Sequence, residues 1–194
     1  DSLYFSYSHL GVFYQIGQAF HIDSVGTQIT LRNLEDDYCE GEARKYISVE
    51  GVYPLGGTAD WTGDIMSDMR AASAYVDPLL GIPGSTYPIT YRYRSPAGCY
   101  SKTLSANVRI NPLPDPSFAL DSTYNIDGGA VDLVPVQEGG VFSGNGVSGD
   151  KLFPDIAGLG QYEIRYTITD TSKCTASLGK KTVIRKAQGE FTGI

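Results

Sequence analysis

The sequence predicts an all-β chain of tandem two-sheet β-sandwich modules, and three observations carry that prediction. The end of the chain repeats its middle: Tyr87, Ile89, Tyr91 and Cys99 recur as Tyr162, Ile164, Tyr166 and Cys174, each 75 positions further on. Both copies alternate large apolar or aromatic residues with polar ones, Tyr87 to Arg94 broken only by Pro88, and Tyr162 to Thr169 without a break. Period two over such a length marks an antiparallel strand with one wet face. The composition agrees, with 14 Tyr, 23 Gly and 10 Pro against 2 Met, because rings suit pleated surfaces and Gly and Pro suit turns.

A self-similar unit of about 75–80 residues is one small module, and repeated modules form arrays. Upstream of the first anchor, Trp61-Thr62-Gly63 corresponds to Phe142-Ser143-Gly144 at a shift of 81, so the first copy is six residues longer there. Module 1 is expected over residues 35–113 and module 2 over residues 114–194. Residues 1–34 contain strand-like stretches at Leu3–Tyr7, Val12–Ile16 and Gln28–Leu31, and Ile29–Leu34 matches the module end at Val108–Leu113. That segment therefore reads as the C-terminal part of a preceding module, or as extra strands, in a fragment of a longer array.

Within each module the elements follow in a fixed order. Lys45–Val49 and Ala130–Val134 predict a strand, followed by Pro54 or Pro135 and a glycine pair, Gly56-Gly57 or Gly139-Gly140. The next strand carries the large ring, Trp61 or Phe142. These two, with Tyr87, Tyr162, Ile89, Ile164, Tyr91 and Tyr166, are the expected core. Turns at Ser95–Gly98 and Asp170–Lys173 lead to the cysteine and to return strands ending in Val108–Ile110 and Thr182–Ile184. About seven strands per module result, the count of a small sandwich. Ile65, Met66, Met69, Ala71, Ala72 and Ala74 suggest one short helix or helical turn between Asp64 and Tyr75, ended before Pro78. Pro112, Pro114 and Pro116 make the connector between modules semi-rigid.

A formal net charge of −7 argues against nucleic-acid partners, which require clustered cations. No apolar run approaches the length of a membrane span. The expected partners are protein or glycan surface ligands, or neighbouring modules of the same chain. No cofactor and no catalytic residue is expected: the two histidines, His9 and His21, sit in no nucleophile motif. Glu35, Asp36, Asp37 and Glu40 cluster beside a module junction, and a solvated acidic loop is the expectation there in preference to a calcium site. The glycine-rich run Gly139–Val147 lacks the Gly-Lys-Ser/Thr ending of a phosphate loop and reads as bends. Tyr53, Tyr75 and Tyr100 are the rings placed to stack on a sugar, with turn packing as the plainer use.

Three cysteines are too scattered for zinc. Module 1 holds Cys39 and Cys99, whereas module 2 holds Cys174 and has Asn125 in place of the first. Pairing within a module would join Cys39 to Cys99 and leave Cys174 an unpaired thiol; two buried thiols are the alternative. Such a bridge would close a loop of about 60 residues, stabilise by about 2–4 kcal/mol and imply an oxidising compartment.

Copy two, with Tyr124, Val131-Asp132-Leu133, the run GVFSGNGVSGDKLFPDIAGLGQYEIRYTITDTSKC and a final strand, resembles the immunoglobulin-like or PKD-like repeats of very large secreted proteins of Bacteroidetes. Those repeats carry a similar G-x-F-S-G-x-G-V, an A-G-x-G-x-Y-x-I-x-Y and a following cysteine. In copy one, Trp61-Thr62-Gly63 stands for F-S-G, and Ile82-Pro83-Gly84-Ser85 replaces A-G-x-G. The resemblance implies an immunoglobulin-like fold and a place in a cell-surface adhesin, including gliding-motility adhesins exported by the type IX system. It implies an extracellular or cell-surface location and a non-catalytic stalk role, and it carries no binding residue. Carbohydrate- or ligand-binding modules of a secreted enzyme, and a structural part of a secretion or motility machine, are the alternatives.

Overall fold

A computed structural model of the chain describes residues 2–10, 12–19 and 29–187. It begins with β1 (Ser2–His9) and β2 (Val12–Ala19), an antiparallel hairpin in register from Ser2–Ala19 to His9–Val12 that forms its own two-stranded sheet.

Module 1 contains β3 (Thr30–Arg32), β4 (Asp37–Cys39), β5 (Lys45–Glu50), β6 (Thr58–Thr62), β7 (Met66–Ser67), β8 (Ser73–Val76), β9 (Thr86–Arg94) and β10 (Leu104–Asn111). One sheet has the order β3-β5-β8-β7 and the other β4-β10-β9-β6. Alternation explains their faces: β5 buries Ile47 and Val49 while Tyr46 and Glu50 face out, and β9 buries Ile89, Tyr91 and Tyr93 while Arg92 and Arg94 face out. Residues 30–32, which the sequence places in the leading segment, pair with β5, Leu31 opposite Val49. Pro88 lies beyond the end of β6, whose last partner on β9 is Thr90, so its missing N–H costs no bond on that side.

Module 2 contains β11 (Thr123–Asn125), β12 (Val131–Asp132), β13 (Val141–Ser143), β14 (Val147–Ser148), β15 (Lys151–Leu152), the one-turn helix α1 (Pro154–Ala157), β16 (Gly160–Thr169) and β17 (Thr175–Arg185). Its sheets have the orders β11-β17-β16-β13 and β12-β15-β14. Leu133 and Leu152 from one side meet Phe142, Ile164, Tyr166 and Ile168 from the other in a single buried core, with Phe118 edge-on to Phe142 at 5.2 Å. Phe118 pairs with Pro135, and the Ala119 N–H and Ser117 carbonyl bond to Val134 and Val136. Part of the proline-rich connector is thus a sheet edge of module 2, and the Asp115 N–H is held by Gln137 as well. The chain divides into two compact units, one running to Gly81 and including Thr86–Arg109, the other taking Ile82–Ser85 and Ile110 onward.

Two expectations are corrected. No helix forms between Asp64 and Tyr75: Met66 pairs with Val76 and Ser67 with Tyr75 in a hairpin, because Ile65 and Met66 are both buried and β8 alternates inward Ala74 and Val76 with outward Ser73 and Tyr75. A one-turn 3-10 helix follows the hairpin at Pro78–Leu80, and the one α-helical turn among the described residues is α1 in module 2, which begins on Pro154 and whose last carbonyl, Ala157, accepts from the Asn145 amide. Of the expected core, Trp61, Phe142, Ile89, Ile164, Tyr91 and Tyr166 are buried, but Tyr87 and Tyr162, near the starts of β9 and β16, are only half-buried.

The β7–β8 hairpin accounts for most of the extra length of module 1. Met66 faces Val76 across it, whereas the counterpart pair Val147–Leu152 closes a loop five residues shorter. The added loop presents two carbonyls to the core: Trp61 Nε1 donates to Arg70 at 2.7 Å and Tyr91 Oη to Ala71 at 2.7 Å. A buried indole needs an acceptor, and module 2, whose shorter hairpin has no such loop, carries Phe142 at the corresponding place.

Candidate functional site

The two modules share fold-forming contacts. Tyr166 Oη donates to the Gln137 carbonyl at 2.8 Å and accepts the Gly140 N–H at 2.7 Å. Tyr93 Oη donates to the Pro54 carbonyl and accepts the Gly57 N–H at 2.7 Å. A Cβ on either glycine would overlap the tyrosine hydroxyl and the carbonyl of the residue after it, so the close approach requires glycine. The Tyr38 hydroxyl accepts the Glu35 N–H and that of Tyr124 accepts the Asp121 N–H, at 3.1 and 3.0 Å. Ser95 and Asp170 close equivalent turns, accepting the N–H of Cys99 and Cys174 through their side chains at 3.1 and 2.9 Å.

The expected Cys39–Cys99 bridge is not formed. Cys99 is a half-buried free thiol held in the Ser95 turn, whereas Cys39 and Cys174 are both disulfide-bonded, so Cys174 is not the unpaired one.

The acidic segment is used locally. Asp36 gives its carbonyl to the Arg109 N–H, and Glu42 accepts the Cys39 N–H at 3.1 Å and pairs with Lys45 at 2.7 Å. Burial works against the Glu42 carboxylate, yet the hydrogen bonds from Lys45 and Cys39 hold its pKa below the usual range. Among the described residues no group of three or more His, Cys, Asp or Glu could hold a metal ion. His9 lies in β1, and His21 lies outside the described residues.

The outer faces of module 1 carry several exposed rings. On the β5–β8 face, Tyr46 meets Tyr75 edge-to-face at 5.5 Å, and Arg44, paired with Asp68 at 2.6 Å, covers the Tyr75 ring at 4.6 Å. Tyr53 is 68% exposed in its loop. On the β9 face, the Arg92 guanidinium lies 3.9 Å from the Tyr100 ring centre and that of Arg94 5.6 Å from it. Beside this stack a cleft of about 240 Å³ is lined by Gly57, Thr58, Arg94, Ser95 and Gly98, among others. In module 2 a larger cleft, about 490 Å³, lies between the Val134–Gly140 loop and Asp150. Of these rings, alternation in Lys45–Glu50 marks Tyr46 as outward, whereas the Arg–Tyr100 contact has no such sequence signal, because an irregular stretch separates Cys99 from β10.

No protein-family model matches the chain, and no curated protein matches it. Among solved structures it is similar to a Ca2+-stabilized adhesin that helps an Antarctic bacterium reach out and bind ice, at 11% identity and a TM-score of 0.48, over 95% of this chain and 56% of that one. The D00-D0 domain of intimin matches at 13% identity and a TM-score of 0.36, over 82% of this chain and 100% of that one. The Bacteroides ovatus mixed-linkage glucan utilization locus protein SGBP-B, solved with a mixed-linkage heptasaccharide, matches at 16% identity and a TM-score of 0.34, over 82% of this chain and 48% of that one. The chain thus spans little more than half the length of the adhesin. At these values the likeness says nothing of what this chain binds.

Proposed function

We propose that the chain is a non-catalytic segment of a large exported bacterial surface protein. In this reading two immunoglobulin-like modules form part of a stalk, preceded by the tail of another module that includes the β1–β2 hairpin. One observation carries it: what the modules have in common is scaffold, and what they display differs. The tyrosine–glycine clamp, the Ser95 and Asp170 turns and the Tyr38 and Tyr124 contacts recur in both. The Arg92–Tyr100 stack and the Tyr46–Tyr75 pair belong to module 1 alone. Repeated hardware beneath changing faces suits a spacer with local adhesive patches. The disulfide-bonded state of Cys39 and Cys174 supports an oxidising, extracytoplasmic setting, and the resemblance of copy two points to export by the type IX route.

The test is location. Antibody against residues 35–187 is expected to stain intact cells of the source organism, with staining lost after mild protease treatment of the surface. Staining that appears only after lysis would end the reading. A second reading, ligand-binding modules of a secreted enzyme, is favoured by the exposed Arg–Tyr face; it predicts the antigen in culture supernatant, attached to a hydrolytic domain.

A further inference from the structure

We propose that the outer face of β9 in module 1 is a binding site for the carboxylate groups of an acidic polysaccharide, centred on Arg92, Arg94 and Tyr100. The inference goes beyond the stalk reading and holds whether or not the chain is a stalk.

Arg92 and Arg94 are two residues apart on one strand, so both project from the same face. They flank one ring, Tyr100, which is itself 44% exposed. Neither guanidinium forms an ion pair or a hydrogen bond with another described residue. Asp60 stands opposite Arg92 in the β6–β9 register but makes no ion pair with it. Elsewhere in module 1, Arg32 is paired with Glu50, Arg44 with Asp68 and Lys45 with Glu42. Two unpaired cations held side by side repel each other, a repulsion that a bound anion relieves.

Lying near the ring spends none of the guanidinium N–H groups on another described residue. Those N–H groups are the fork that matches a carboxylate in two parallel hydrogen bonds. Arg94 also lines the adjacent cleft of about 240 Å³. Ser95 there accepts the Cys99 N–H, and its own proton has no acceptor among the described residues. Thr58 is exposed beside it. Further along the same face, Thr62 and Thr90 share a hydrogen bond at 2.6 Å, and Ser105 and Asn107 are exposed on β10 opposite Thr90 and Pro88. The face therefore offers two guanidinium forks, one partly open ring and a row of hydroxyl and amide groups. A chain of uronic acids presents the complementary set: a carboxylate and several hydroxyls on every ring. An acidic peptide offers the carboxylates without the hydroxyls.

The experiment is affinity electrophoresis and calorimetry of the full chain with polygalacturonate, against a neutral galactan and against polyglutamate. Retardation by polygalacturonate alone, weakening as salt is raised, is the expected result. Arg92→Gln and Arg94→Gln are each expected to weaken it about tenfold or more. Tyr100→Ala is expected to weaken it as well, with the melting curve of each variant showing that module 1 still folds. Arg94→Lys should recover only part of the loss, because an ammonium lacks the fork. Absence of binding, equal binding of the arginine variants, equal retardation by the neutral galactan, or equal affinity for polyglutamate would each overturn the proposal, the last in favour of an acidic protein segment.

Discussion

Tyr93 of module 1 and Tyr166 of module 2 clamp their modules in the same way, each hydroxyl donating to a carbonyl and accepting the N–H of a glycine three residues further on. The sequence repeat, however, aligns Tyr166 with Tyr91. The difference lies in strand length. β6 has 5 residues and β13 has 3, so the β6–β9 ladder is longer and the clamp lies one inward position further along β9. Tyr166 both packs on Phe142, at 4.4 Å, and holds the loop; in module 1, Tyr91 packs on Trp61, at 4.5 Å, and Tyr93 holds the loop.

Removing one hydroxyl from each clamp tests this division. Tyr93→Phe and Tyr166→Phe each leave a carbonyl and an N–H without their partner and are expected to cost about 1–3 kcal/mol. Gly57→Ala and Gly140→Ala, which force a Cβ against the clamp, should cost more. Urea unfolding followed by Trp61 fluorescence reports the module 1 variants, and far-ultraviolet dichroism reports the module 2 variants.

Exchanging the large rings should be asymmetric. Trp61→Phe loses one hydrogen bond to Arg70 and some packing, about 1–2 kcal/mol. Phe142→Trp buries an N–H where no acceptor loop exists and overfills the site, so a loss of about 2–4 kcal/mol is expected from the two effects together. Comparable losses for the two changes would refute the account of the hairpin extension.

Alkaline titration should find Tyr91. Burial, with a smaller contribution from neighbouring Tyr93, pushes its pKa from 10.0 up to about 12. The folded form holds this proton more tightly than the unfolded chain. Stability is therefore unaffected by this group below about pH 10 and falls as pH rises through the window from 10 to 12. Tyr38, also raised by burial, acts in the same direction. Tyr91→Phe should flatten the alkaline loss of stability, and phenolate absorbance should show one fewer late-ionising tyrosine.

Thiol mapping distinguishes the cysteines. Alkylation of the unfolded, unreduced protein should modify Cys99 alone, and reduction should expose Cys39 and Cys174 as well. A modified Cys174 before reduction would restore the pairing that the sequence suggests.

The frame was legible because strand alternation is local: Ile89, Tyr91, Ile164 and Tyr166 declare their faces by neighbours alone. The Ile65–Ala74 stretch misled because a tight hairpin with a five-residue extension spaces its apolar residues like a helix, and only the partner strand decides between them. The pairing of Thr30–Arg32 with β5 likewise depends on a cross-strand partner, Val49, that no local pattern names. Of the candidate site, the outward placement of Arg92 and Arg94 follows from alternation, but their stacking depends on an irregular stretch after Cys99 that brings Tyr100 back to Arg94.

In module 2 the first strand of the larger sheet, β11, runs parallel to the last, β17, with Thr123 beside Val183 and Asn125 beside Arg185. Tension applied at the two ends of that module therefore slides β11 and β17 past each other lengthwise. Every bond between them, including those flanking the pair at Ser122 and Ile126, is loaded at once instead of being peeled open one at a time. The arrangement places the module's greatest mechanical resistance along the line on which a tethered chain would be pulled.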